Sequence, residues 1–254
     1  MSDELLVSVD GDVAVVELNR PPNNHLDEGL VGQLVDAVAD LDVSPACRVI
    51  VLAARGRHFC GGADLGSDFA DDKVASASRL YRRAAPLFEV RMPMIAAVHG
   101  TAVGGGLGLA CAADFRVAEP STRFVANFAT LGFHQGFGLS VTLPELVGRQ
   151  VATDLLLTAR RVGGEEAVRV GLADRLAEPG QVRETAMAWA RSIAAAAPLA
   201  VRSIRATLRG DLPQRVRRAL EHELAEQAVL WQTRDSAEGI AASLERRRPT
   251  FEGR

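Results

Sequence analysis

A chain of 254 residues with 48% apolar and 24% charged side chains is long enough to bury one full-sized core. Its net charge of −3, with acidic residues interleaved among the arginines, argues against a nucleic-acid surface. Cys47, Cys60 and Cys111 form neither a CxxC pair nor a secreted disulfide framework, and no signal sequence opens the chain, so a cytoplasmic location is expected.

In chain order, Leu5–Val9 and Val13–Leu18 read as strands joined by Asp10-Gly11-Asp12, a hairpin pattern. Leu30, Leu34, Val38 and Leu41 recur at helical spacing. Arg48–Ala53 is a short buried strand that runs into a first glycine loop, Cys60-Gly61-Gly62-Ala63-Asp64-Leu65. Ser76–Glu89 is predicted as a helix. Met94–Val98 is the next strand, followed by a second glycine loop, His99-Gly100-Thr101-Ala102-Val103-Gly104-Gly105-Gly106-Leu107-Gly108, and a helix from about Gly105 to Ala112. Phe115–Ala118 and Arg123–Ala126 are short strands, and past Val141 the pattern is mainly helical through Leu244, with Glu145 expected to cap a helix start. Strand–helix alternation in the first half predicts an α/β fold with parallel pairing. A soft boundary near residue 190 divides an α/β core, 1–190, from a C-terminal helical region, 191–254.

Met92–Ala113 is uncharged and long enough to span a bilayer. Pro93, His99 and the glycine run split it into strand, turn and buried helix, so no membrane partner is expected. Lys73 is the single lysine, in an acidic stretch, which argues against Schiff-base chemistry. Five scattered histidines without HExxH spacing give no metal site.

Both loops follow apolar strands, and glycine lets backbone turn sharply and approach a ligand closely. Gly105 lies where a helix begins, so its N–H has no partner within the helix and the dipole there favours negative charge. Order, spacing and flanking strands resemble the crotonase (enoyl-CoA hydratase/isomerase) superfamily. So do Asn19-Arg20-Pro21-Pro22-Asn23-Asn24-His25-Leu26 and the ending Glu238-Gly239-Ile240 through Leu244-Glu245-Arg246-Arg247-Arg248-Pro249 and Phe251. The resemblance implies a spiral of ββα repeats with a C-terminal helical region. It implies an acyl-CoA substrate, no separate cofactor, and a homotrimer or dimer of trimers, for which Leu220, Leu224, Val229, Leu230 and Trp231 offer an apolar face. It further implies an oxyanion hole from the N–H groups of Ala63 and Gly105. His25, Leu26, Gly61, Gly62, Asp64, Leu65, Gly104, Gly108, Phe128, Leu131 and Arg246 would line the substrate site, with Arg246 as a CoA phosphate contact.

The chain departs from the family where hydratases carry two glutamates: those positions hold Gly108 and Phe128. Two carboxylates position and activate water in hydration, and neither residue here can. His134 becomes the candidate acid/base, since imidazole exchanges protons near neutral pH, with a backbone-tied loop histidine as the bland alternative. Gly136 takes a position where some isomerases carry aspartate. Asp114, His58 and His99 read as structural. Phe124, Phe128, Phe133 and Phe137 either pack a core or, with Gly108, form a dry slot for an apolar or aromatic acyl chain. Two functions follow: an enzyme performing isomerisation or another enolate reaction on acyl-CoA thioesters, or a catalytically silent acyl-CoA binder.

Overall fold

The computed structural model describes residues 4–64 and 72–254. Leu5–Asp10 (β1) and Val13–Leu18 (β2) pair antiparallel across the Asp10-Gly11-Asp12 turn. Val49–Ala54 (β3), Met94–Ala97 (β4) and Phe115–Ala118 (β6) then add parallel neighbours, and Arg175–Leu176 (β9) closes the far edge, giving the order β1-β2-β3-β4-β6-β9. A second sheet holds Thr101–Val103 (β5), Arg123–Val125 (β7) and Arg161–Gly163 (β8). This mixed α/β arrangement with a parallel majority is the expected fold class.

The central strands of the sheet are buried on both faces, and their period-2 alternation sorts their side chains. Ala14, Val16 and Leu18 of β2, with Ile50 and Leu52 of β3, enter the main core. Val13, Val15, Val49, Val51 and Ala53 face a smaller second core, covered by the Val182–Ala194 helix (α6) through Ala186, Met187 and Ala190. Each fully buried Val, Leu or Ile contributes roughly 1.5–3 kcal/mol, so these central strands hold the fold together. Glu17, buried on β2, ties the sheet to α6: its carboxylate takes Arg55 at 3.0 Å and also Arg183. The residue-190 boundary thus falls inside a helix that belongs to the sheet.

The helix over Glu28–Val43 (α1) starts at Asp27, whose carboxylate accepts the Leu30 N–H at 2.7 Å, a cap contributing about 1 kcal/mol. The predicted Ser76–Glu89 helix is shorter and shifted: Lys73–Ala84 (α2) gives way to a 3-10 turn over Ala85–Phe88. Pro86 has no N–H to continue the ladder. Gly105–Ala112 (α3) leads from the second glycine loop, and Leu139–Thr158 (α4) follows. Glu145 is no cap; it lies within α4 and pairs with Arg215. The capping carboxylate is instead Glu223, which accepts the Gly138 and Ser140 N–H groups at 2.8 and 2.9 Å from another helix. Gly164–Arg169 (α5), Pro198–Arg209 (α7), Leu212–Leu230 (α8) and Arg234–Glu245 (α9) complete the chain. Of the residues expected to form an apolar subunit face, Leu220 is buried and Val229 is exposed. Among the described residues, no helix is long and apolar enough to cross a membrane.

Candidate active site

Two short backbone ladders bring the glycine loops side by side. The Leu26 N–H donates to Gly62 O at 2.8 Å, and Gly61 N–H to Asn23 O at 2.7 Å, which fixes the first loop on the Asn23–Leu26 segment. The Phe59 and Cys60 N–H groups donate to His99 O and Thr101 O, both at 3.1 Å, and Val103 N–H returns to Cys60 O at 3.0 Å. Buried Asn24 secures the approach, donating from Nδ2 to the carbonyls of Arg55 and His58 at 2.7 Å each.

Two glycines make this proximity possible. Gly104 has φ +53° and ψ −116°, backbone that side-chain-bearing residues avoid. At Gly62, with φ +86°, a Cβ would lie 2.7 Å from Val103 O. The result is a pair of neighbouring amides: a methyl built on Gly105 would lie only 3.9 Å from the Ala63 nitrogen. Among the described residues, no backbone acceptor takes the N–H of Ala63 or of Gly105, the first residue of α3. Two unengaged donors beside a helix N-terminus can stabilise negative charge on one oxygen.

These amides open on a cavity lined by Gly61, Gly62, Ala63, Gly104, Gly105, Phe128 and Leu131, all expected, together with Leu80, Tyr81, Asn127, Phe133 and Trp231. Its volume is about 60 Å³, a narrow slot. Phe133 stacks obliquely on Trp231, ring centres 5.6 Å apart, and stands edge-on to Phe128 at 6.0 Å. Trp231, expected at a subunit face, therefore belongs to the slot. Tyr81 and Asn127 had no motif to mark them. The only available indication was Tyr81 sharing the inward stripe of α2 with Ala77, Leu80 and Ala84.

Other expected residues lie elsewhere. Gly108 is buried one turn along α3, beneath Phe137 and outside the cavity lining. Phe124 and Phe137 are core residues, so the four phenylalanines divide between slot and core. Leu26 backs Gly105 from outside the slot, while the His25 ring packs on Gly61 with Nδ1 3.3 Å from Gly62 O. Asp64 follows Ala63 directly; Leu65 lies outside the described residues. His134 Nδ1 lies 2.8 Å from Gln135 O, its ring stands nearly perpendicular to that of His222 with centres 5.8 Å apart, and it does not line the slot. Arg246 is exposed at the end of α9, where the neighbouring Arg247 carries the ion pairs with Glu238 and Glu245.

Near the loops, His99 Nε2 lies 3.1 Å from Gly56 O, and burial beside Arg57 lowers the pKa of His58. Asp114 accepts Arg205 Nε, Arg209 Nη1 and the Met94 N–H, each at 2.8 Å, a structural clamp. No cluster of metal-ligating side chains occurs among the described residues.

The chain matches the Enoyl-CoA hydratase/isomerase family over residues 9–254, and it belongs to that family, the crotonases. It is 35% identical to (E)-benzylidenesuccinyl-CoA hydratase of Thauera aromatica, covering 97% of this chain and 98% of that protein. It is 31% identical to crotonyl-CoA hydratase of Syntrophomonas wolfei, over 98% of each. An enoyl-CoA hydratase/isomerase structure from Pseudoalteromonas atlantica superposes with a TM-score of 0.88 at 29% identity, covering 98% of this chain and all of that one. Acyl-CoA processing of the hydratase/isomerase type is thereby supported.

Proposed function

We propose that this chain processes an acyl-CoA thioester by holding its carbonyl oxygen between the N–H groups of Ala63 and Gly105, so that an enolate-like oxyanion forms at low cost. The observation that carries this reading is the pair of adjacent amides, without a backbone acceptor among the described residues, that line an apolar slot. Water is scarce in such a slot, which strengthens each donor.

Two-glutamate hydration does not fit the residues present: Gly108 carries no side chain and Phe128 puts a ring into the slot. The reaction is then isomerisation or another enolate conversion, without a separate cofactor. Leu80, Phe128, Leu131, Phe133 and Trp231 suit an apolar or aromatic acyl group. The hydratases among the relatives act on benzylidenesuccinyl-CoA and crotonyl-CoA by name, which supports a 2-enoyl thioester as the first probe. His134 enters only as a candidate acid/base, because it does not line the slot. Asp64, Leu65, His25, Leu26 and Arg246 remain proposed contacts to the rest of the thioester.

A second reading, a silent acyl-CoA binder, is favoured by the cavity lining itself, which contains no carboxylate or imidazole among the described residues. Calorimetry and absorbance on one sample, with crotonyl-CoA and a longer 2-enoyl-CoA, separate the possibilities. Binding without loss of the enoyl absorbance supports non-hydrating chemistry or silent binding, and turnover assays with His134→Ala follow. Binding with loss of that absorbance establishes hydration and removes the argument from Gly108 and Phe128. Absence of binding sinks the acyl-CoA assignment.

The same proposal includes a homotrimer or dimer of trimers. Ile204 and Leu208 stand exposed one turn apart on α7, an apolar pair that self-association would cover. Sedimentation velocity tests it, and a monomer at micromolar concentration sinks it.

A further inference from the structure

Tyr81 and Asn127 are the polar side chains among the slot-lining residues, and Tyr81 carries a hydroxyl. Tyr81, the single tyrosine of the chain, is 8% exposed on the inward stripe of α2 and lines the cavity with Ala63 and Gly105. Two residues fix its hydroxyl. A Cβ at position 136 would overlap Tyr81 Oη, so glycine there leaves the hydroxyl its space. Gln227 of α8, fully buried, reaches Oη with Nε2 at 2.9 Å and Oε1 at 3.0 Å.

Gln227 Nε2 also lies 2.8 Å from His134 O. A carbonyl oxygen only accepts, so this contact fixes which end of the amide is the donor. Nε2 therefore gives one N–H to His134 O and has a second available for Tyr81 Oη. The phenol keeps its own proton, which rests on Oε1 of the same amide and is available to a ligand oxygen that reaches Oη. Nε2 continues to donate to Oη when the phenol proton moves to a ligand oxygen, so only the Oε1 contact is exchanged. A proton held this way is a donor in reserve.

Burial, with the Glu223 carboxylate adding to it, raises the phenol well above its ordinary range. Tyr81 is thus a donor at every working pH, unsuited to act as a base. A wall whose polar side chains are Tyr81 and Asn127 discriminates between ligands that bring an acceptor to the phenol and ligands that do not.

We propose that Tyr81 is a specificity-determining residue, donating a hydrogen bond to an oxygen on the acyl group itself, a hydroxyl, keto or carboxylate oxygen beyond the thioester carbonyl. This rests on the acyl-CoA reading above. Because the phenol retains Gln227 when no acceptor arrives, an acyl group lacking the oxygen is penalised by about tenfold, less than for a donor left wholly unpaired.

The test is isothermal titration of the full chain and of Tyr81→Phe with butyryl-CoA, 3-hydroxybutyryl-CoA and succinyl-CoA. The wild-type chain is expected to bind at least one oxygen-bearing thioester about tenfold more tightly than butyryl-CoA. Tyr81→Phe should erase that gap by weakening the oxygen-bearing thioester about tenfold more than butyryl-CoA. Equal weakening toward all three thioesters would mean that Tyr81 serves packing alone, which overturns the proposal. Tight butyryl-CoA binding with no preference overturns it too, and leaves the acyl-CoA reading standing. Failure of the wild-type chain to bind any thioester overturns both.

Discussion

The ring of Phe137 lies directly on Gly108: a methyl built on that glycine would sit 2.6 Å from Phe137 Cβ and 2.9 Å from Cγ. Phe137 is fully buried, touches Tyr81 and Phe88, and has φ +59°, left-handed backbone that costs about 1–2 kcal/mol outside glycine. Packing against α3 offsets that cost. Gly108→Ala should therefore destabilise by about 1–3 kcal/mol through overpacking. Thermal unfolding would show a drop of roughly 2–4 °C per kcal/mol. Adding Phe137→Gly, which removes the Cβ at 2.6 Å as well as the ring and suits the positive φ, should relieve the clash, so the double variant loses less than the two single losses combined. Strict additivity would mean that the contact is not what excludes a side chain at 108.

Gly105 offers a cleaner change at the oxyanion donors. It is the first residue of α3, a position where proline is well tolerated because the N–H has no helical partner. A Cβ there meets nothing nearer than Leu26 Cδ1 at 3.6 Å, ordinary contact. Gly105→Pro is expected to lower turnover of the thioester substrate by about 10²–10³, the usual loss for one donor, with little change in unfolding temperature. Turnover within a few-fold of wild type would show that Gly105 N–H is not a donor in the reaction.

Both glycine loops, the hairpin and the central strands were legible in the sequence because each rests on local pattern: alternation, turn residues, glycine after an apolar run. Tyr81, Asn127 and Trp231 were not, since three distant segments carry them to the slot and only tertiary packing joins those segments. His134 illustrates the converse. Its chemistry drew attention, but the neighbouring carbonyl and His222 decide where the ring faces. The α4 cap was missed for the same reason: Glu223 stands 85 residues from the Gly138 N–H it accepts.

All three cysteines are buried. Burial pushes the Cys60 thiol up to about 12 and the Cys111 thiol up to about 11, and raises Cys47 as well. Thiolate is the reactive form, so none should react with a disulfide reagent at pH 8 in the folded protein. Titration in denaturant should release all three. A fast-reacting thiol in the native state would contradict the packing around the first glycine loop.

Asp114 serves two arginines at once, and Arg205 is only 9% exposed. Removing the carboxylate strands buried positive charge, so Asp114→Ala should cost about 3–5 kcal/mol in urea unfolding. Combining it with Arg205→Met should recover part of the loss, because the uncompensated charge goes too. A single-variant loss below about 1 kcal/mol would mark the clamp as solvated and weak.

Glu223 gives the pH dependence a definite sign. Burial raises its pKa above the ordinary carboxylate value, against the opposing effect of the Ser140 and Gly138 donors and of the facing His134. At pH below the unfolded pKa, both states hold the proton and the contribution to stability is fully present. As pH rises past it, the unfolded chain releases the proton while the folded chain keeps it. The unfolded state then binds fewer protons, and stability falls with pH until the folded pKa is passed. Glu223→Gln cannot titrate, and it carries only a constant offset of about 1 kcal/mol for the weakened cap. The wild-type unfolding free energy should therefore decline relative to Glu223→Gln from about pH 4.3 upward, then run parallel. A wild-type advantage that grows with pH would mean the α4 amides outweigh burial, with the carboxylate held ionised from the start.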